Sequence, residues 1–220
     1  MSLSYNSSLL AACAVILVAS LGCGASPKPE PPEPPAFAPM PPGELRPLAA
    51  FEVIADRGSR SMALFAEASR VLLHPRCVNC HPAGDRPLQR NLEAHVPPVE
   101  RGPADNGIAV LECTSCHGTK NAELARVPGA PKWHLAPLEM AWQGKDLADI
   151  CAQIKDKKRN GGKTLAQIVD HVAHDELVAW GWSPGADREP APGTQAQAGE
   201  LFRAWVETGA HCPPKPTEPL

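Results

Sequence analysis

Two short stretches of the chain set sulfur and imidazole side by side: His74-Pro-Arg-Cys77-Val-Asn-Cys80-His81-Pro82, and Cys113-Thr-Ser-Cys116-His117. Cysteines at this spacing on one helical turn reach the two vinyl groups of a haem and form thioethers. The histidine that follows then ligates the iron from the proximal side. The expectation is two covalently attached c-type haems, one on Cys77, Cys80 and His81 and one on Cys113, Cys116 and His117. Three other chemistries use such thiols. A zinc site built from both pairs would have to close over the 32 residues that separate them and would leave both histidines unexplained. A redox dithiol is usually set beside a β-α-β pattern, which this sequence lacks. Structural disulfides between positions three apart are poorly placed to close locally.

Each iron would keep one open face, and its occupant decides between electron transfer and small-molecule chemistry. Six further histidines are available (His74, His95, His134, His171, His174 and His211), together with the thioethers of Met40, Met62 and Met140. Sequence order assigns His95, in the loop between the motifs, to the first haem and His134 to the second, with Met140 competing there. His74 comes next: on a continuous helix it shares a side with His81 and would reach the other haem. For each of these histidines a surface or core role without an iron bond is the competing reading. Histidine as sixth ligand gives a low potential and methionine a raised one. Arg86, Arg90 and Arg101 flank the motifs as partners for haem propionates or as solvated loop residues. His171 and His174 share a helix face, which could hold a metal or simply face water.

The elements that must position these groups are sparse. Only 5% of the 220 residues are aromatic, against 26 prolines and 17 glycines, so a large conventional core cannot be assembled. Helical spacing of apolar residues appears after Ser61 (Met62, Phe65, Ala68, Val71, Leu72), with Ser61 as its cap, running into the first cysteine pair. It recurs at Leu147–Ile154, after a Thr164 cap, and after a Thr194 cap with Leu201, Phe202, Trp205 and Val206 inward and Gly209 beyond the end. Asn160-Gly-Gly162 reads as a turn. Pro82 to Val110 has no strand alternation and no hairpin signal, and a loop of that length needs a ligand to organise it. The expected fold is mostly α, a small irregular helical domain organised around two haems.

Compartment follows from the N-terminus. Residues 1–22 carry no charge and read as an export signal, with an apolar run from Leu9 to Gly22 too short for a comfortable membrane span. Gly22-Cys23 resembles a bacterial lipobox whose cysteine is lipidated. Leu10-Ala-Ala-Cys13 matches better by letter but would leave the apolar run on the mature chain, and ordinary cleavage to a soluble periplasmic protein is the alternative. Residues 23–60 then form a lipidated start and Pro-rich linker, in which Pro27–Pro47 is a polyproline II spacer on the order of 60 Å long. Residues 61–213 form the dihaem domain and 214–220 a tail. Of the eight cysteines, Cys151 and Cys212 remain after the motifs and the N-terminus are assigned. In an oxidising compartment they invite a disulfide, the alternative being two buried thiols. The net charge of −3 argues against a nucleic-acid partner.

The two motifs and the export signal resemble those of c-type cytochromes. The phrases around the first motif, with Pro131-Lys-Trp-His-Leu-Ala-Pro137, Met140-Ala-Trp142, Arg159-Asn-Gly-Gly162 and Ala179-Trp-Gly-Trp182, resemble a family of exported dihaem proteins associated with isoquinoline 1-oxidoreductase-type molybdenum hydroxylases. That resemblance implies a redox partner protein of the molybdenum hydroxylase class. The function expected is a periplasmic, lipid-anchored electron carrier rather than an enzyme. A dihaem peroxidase or oxidase with one open haem face is the alternative, for which Asp175 and Glu176 would be acid–base candidates.

Overall fold

The fold was analysed in a computed structural model of the chain. It describes Met1, residues 37–185 and residues 187–216. The export signal, Cys23 and most of the proline tract lie outside the described residues. All described residues except Met1 belong to one unit, Pro32–Leu220.

The chain is mostly helical. Helix α1 (Arg57–Leu72) starts where Asp56 accepts a hydrogen bond from Ser59 N at 2.7 Å, five residues before the start expected from sequence. Ser61, read as the cap, is instead fully buried. Its hydroxyl donates to Trp205 O at 3.1 Å and accepts from His211 N at 3.0 Å. A small hydroxyl residue on the inner face of a helix can serve either purpose, and Asp56 offers the stronger cap. Helix α2 (Pro75–Val78) is a separate turn: Pro75 occupies its first position, and His74 is its extended N-cap. Proline at N1 starts a helix rather than continuing one. The helix on which His74 and His81 would share a side is therefore broken.

Helices α3 (Leu147–Lys155), α4 (Leu165–His174) and α6 (Gln195–Glu207) form the second half, with the short α5 (Glu176–Ala179) between the last two. Thr164 and Thr194 each form a reciprocal capping box with the glutamine three residues on. Asn160 holds the turn between α3 and α4, donating to Ile154 O and Lys163 O and accepting from Lys163 N, while Gly161 and Gly162 take positive φ. Helix α6 packs against both α1 and α4. Leu64, Phe65, Ala68 and Val71 of α1 meet Ala198, Leu201, Phe202 and Trp205 of α6 in one buried cluster. A Cβ on Gly199 would stand 2.5 Å from that of Ala173, so the close approach of α6 to α4 requires glycine there. The core also takes in Leu45, Phe51 and Ile54, which precede Ser61.

Residues 79–146 contain no α-helix. Contrary to the absence of a hairpin signal, two short antiparallel ladders punctuate them: β1 (Leu88–Gln89) with β2 (Glu93–Ala94), and β3 (Gly107–Ile108) with β4 (Leu111–Glu112). Two-residue strands are too short for an alternation pattern to register. Between Val78 and Ala130 the only apolar side chains buried are those of Pro82 and Pro87, and Leu92, Val96, Val110 and Leu124 are exposed.

Cys151 and Cys212 are joined by a disulfide with Cα atoms 5.6 Å apart, tying the chain end to α3. Lys155 Nζ adds a bond to Ala210 O at 2.6 Å. The bridge spans a sequence separation of 61. Replacing both cysteines (Cys151→Ala/Cys212→Ala) is expected to cost roughly 4 kcal/mol in equilibrium denaturation. A loss below about 1 kcal/mol would mean that Trp205 and Lys155 hold the chain end without it.

Candidate functional site

Each cysteine pair sits on a single tight turn. In the first, Cys80 N donates to Cys77 O and His81 N to Val78 O; in the second, Cys116 N and His117 N both donate to Cys113 O. The turns are α2 and a 3₁₀ turn at Cys113–Ser115. The four thiols are free, in contrast to the bridged pair elsewhere. Burial pushes the Cys77 thiol up to about 12 and that of Cys80 to about 11, the latter helped by the nearby Cys113. A redox-active dithiol needs the opposite environment, one that favours thiolate. Among the described residues no group of three or more His, Cys, Asp or Glu side chains converges as a zinc site would require.

The two motif histidines are held alike. His81 places Nδ1 2.7 Å from Met140 O and stacks on Trp142, ring centres 3.4 Å apart and 6° from parallel. His117 places Nδ1 2.7 Å from Pro128 O and stacks on Trp133 at 4.6 Å and 10°. A carbonyl only accepts, so in both rings Nδ1 carries the proton and Nε2 keeps its lone pair. This is the arrangement in which a protein orients a histidine and raises its basicity as a metal ligand. Burial lowers the pKa of both rings, that of His81 to about 3, so each is neutral at ordinary pH. The donor set therefore fits a c-type haem at each motif.

The carbonyls that fix the rings are themselves fixed. Trp142 N and Gln143 N both donate to His81 O, and Ala136 N donates to Cys80 O, so residues 136–143 clasp the first motif. At the second, Gly129 is wedged so that a Cβ would lie 2.4 Å from Lys120 O and 2.5 Å from Gly118 O. Asn121 is the hub: its Oδ1 accepts from Gly129 N at 3.1 Å and from Trp180 Nε1 at 3.0 Å, and its Nδ2 donates to Ser183 O at 3.0 Å. Trp180 in turn meets Trp133 edge-on at 5.0 Å.

The remaining candidates fall as follows. His95 is half-buried, with its ring centre 5.9 Å from that of His117 rather than beside His81. His134 is exposed, its Nδ1 bonded to Lys132 O. Among the described residues no ring contact joins it to His117. Met140 is buried and bound through its carbonyl to the first motif, not the second. His74 Nδ1 accepts from Arg76 N at 3.3 Å. His171 and His174 are each engaged by a carboxylate one turn away, Asp175 at 3.2 Å and Asp170 at 2.9 Å. Arg86 and Arg90 are exposed, while Arg101 is buried and donates to Asp105 Oδ1 and Ala136 O. Sequence reasoning passed over Arg76, which is buried beside the first motif and donates to Arg90 O and Asn91 Oδ1. Sequence reasoning places the five tryptophans against porphyrin or between helices and does not foresee that Trp142 and Trp133 stack on the motif histidines. Their signal was present, each following shortly after the proline or methionine whose carbonyl binds the imidazole.

No known family matches this sequence, and neither a curated protein nor a solved structure matches the chain.

Asn121→Ala removes the acceptor of two buried donors at once. It is expected to cost about 2 to 4 kcal/mol in denaturant unfolding and to alter the near-ultraviolet dichroism of the tryptophans. Asn121→Asp keeps an acceptor for both donors but sets a second acceptor oxygen against Ser183 O, so it is expected to cost less at acid pH, where the carboxyl is protonated and can donate, than at neutral pH.

Proposed function

We infer that this chain is an exported c-type cytochrome that carries two haems and relays single electrons between an oxidoreductase and a respiratory or surface acceptor. The observation that carries the reading is the equivalent preparation of His81 and His117. Each follows a free thiol pair on one turn, has Nδ1–H bonded to a backbone carbonyl, and lies flat against a tryptophan. Two unrelated structural histidines have no reason to share all three features.

The apolar side chains support it. From 79 to 129 the apolar side chains buried are two prolines, Pro82 and Pro87, yet the chain keeps a defined course of turns and ladders. Burying a large apolar group there offsets the entropy of ordering such a stretch. Cys77, Cys80, Cys113 and Cys116 would attach the porphyrins, and His81 and His117 would supply proximal nitrogen. The bound haems supply one-electron redox chemistry. The residues around them orient the imidazoles through Met140 O and Pro128 O. Asp175, a candidate acid–base group for a peroxidase, is already committed to capping α5 and to His171, which favours the carrier over the enzyme. A partner of the molybdenum hydroxylase class belongs to the same reading and rests on the family resemblance, and a lipid anchor at Cys23 rests on the likeness of Gly22-Cys23 to a lipobox.

Protein exported from a host with the haem-attachment machinery is expected to show two haems per chain by pyridine haemochrome and by intact mass. Cys77→Ala/Cys80→Ala and Cys113→Ala/Cys116→Ala are each expected to lower this to one. Purified protein should not turn over peroxide beyond the rate of free haem peptide. A colourless chain, or one whose mass fits zinc, overturns the reading.

A further inference from the structure

We propose that His95 is the second axial ligand of the haem on the Cys113–His117 motif, so that the loop leaving the first motif closes the iron of the second. This rests on the reading of the two motifs as haem sites and adds a ligand that sequence order assigned to the other haem.

Spacing is the first argument. Two imidazoles bound to one metal through bonds of about 2 Å, each with about 1 Å from nitrogen to ring centre, stand roughly 6 Å apart. The rings of His95 and His117 are 5.9 Å apart, at 65° to each other. The rings are thus separated as a shared metal would hold them.

Proton position is the second. His95 Nδ1 lies 2.8 Å from Pro97 O, which can only accept, so its proton is on Nδ1 and its lone pair on Nε2. His117 is in the same state through Pro128 O. Both rings of the pair therefore offer Nε2 and have their other nitrogen spent. His74 is in the opposite state: its Nδ1 accepts from Arg76 N, which puts the neutral ring's proton on Nε2 and leaves no free donor nitrogen.

The third is placement. The ladder β1–β2 runs directly into His95, and His95 N donates to Pro87 O at 3.3 Å, extending the hairpin to that residue. Arg76 and Asn79 of the first motif both donate to Arg90 O in the hairpin turn. The first motif thereby sets the position of a ring that stands against the second. The competitors lie elsewhere: His134 is exposed, His171 and His174 are paired with carboxylates, and Met140 is tied to His81.

The test uses the full exported chain with both haems in place. In His95→Ala, low-temperature electron paramagnetic resonance is expected to show half of the haem converted from low to high spin. That half should bind carbon monoxide when reduced and return to low spin on adding imidazole. His95→Met should keep both haems low-spin and raise the potential of one. Assignment comes from the single-haem chains. His95→Ala should convert the haem of Cys77→Ala/Cys80→Ala and leave that of Cys113→Ala/Cys116→Ala unchanged. Should neither single-haem chain accumulate, selective ¹⁵N-histidine labelling of the oxidised wild type decides: hyperfine-shifted ring nitrogens of His95 and His117 on the same haem support the assignment. It is overturned if both haems of His95→Ala stay low-spin, if the haem converted is that of the first motif, or if the haem of the second motif is already high-spin in the wild type. A wild-type chain without haem overturns it too, by removing the reading on which it rests, and is told apart from the other failures by its lack of colour.

Discussion

Everything distinctive in this molecule depends on one hydrogen bond made by each motif histidine, from its imidazole Nδ1–H to a main-chain carbonyl distant in sequence. The bond fixes which ring nitrogen is protonated and aims the other. Its cost is that the carbonyl must be held rigidly by some other part of the chain. For His81 that carbonyl is 59 residues distant, at Met140; for His117 it is 11 residues distant, at Pro128. Much of the fold between and beyond the motifs makes physical sense as the means of holding those two oxygens still. Met140 and Trp142 are buried in the helical core, so the first carbonyl is anchored to the best-packed part of the protein. Pro128 has no such core beneath it and is held by polar contacts instead, through Gly129, Asn121 and the Trp180 indole.

This difference divides the chain into two kinds of material. The α1–α4–α6 assembly is stabilised in the ordinary way, by apolar faces packed at helix spacing, capping boxes and a disulfide at its end. The stretch from 79 to 129 is held by buried polar side chains that reach for backbone carbonyls: Arg76 and Asn79 to Arg90 O, Arg101 to Ala136 O, Asn121 to Ser183 O. Arg101 also meets the Asp105 carboxylate, whereas the Arg76 guanidinium is met by the neutral oxygens of Arg90 and Asn91, and burial lowers its pKa. The composition of the chain, poor in aromatics and rich in proline and glycine, is the composition of this second kind of material.

How much of this could be read from residues alone depended on the range of the interaction. Thr164 and Thr194 were legible because a capping box is complete within four residues. The α3 helix was legible because Leu147, Ile150, Cys151 and Ile154 keep helical spacing over its whole length. The break at His74 was carried by Pro75 in plain view, yet the apolar periodicity of α1 drew the eye across it. Ser61 was misread because its partner, the carbonyl of Trp205, lies 144 residues away. The motif cysteines and histidines were legible as a spacing. Their orienting carbonyls and stacking tryptophans were not, because nothing local says that Met140 returns to His81. His95 stands beside His117 for the same reason: proximity in sequence is a poor guide inside a loop whose course is set by ladders only two residues long.

The two motifs are alike in design and unlike in setting, and the difference bears on what a pair of redox centres could do. His81 is packed tightly enough that burial carries its pKa to about 3, and both thiols before it are strongly raised. At the second motif Thr114, Ser115 and Cys116 are exposed, where Val78 and Asn79 of the first are buried. Solvent exposure is one of the principal determinants of a haem's potential, since water stabilises the charge that remains on the oxidised centre. On the dihaem reading, identical proximal ligands would then give unequal potentials with no change of ligand type, the drier site being the easier to reduce and the wetter one the harder. The motifs are close enough for the Cys113 thiol to disfavour ionisation of Cys80. The exposed edge at 114–116 is the part of this pair that another protein could touch. The order of electron entry and exit would thus be written in burial, not in the motif sequence.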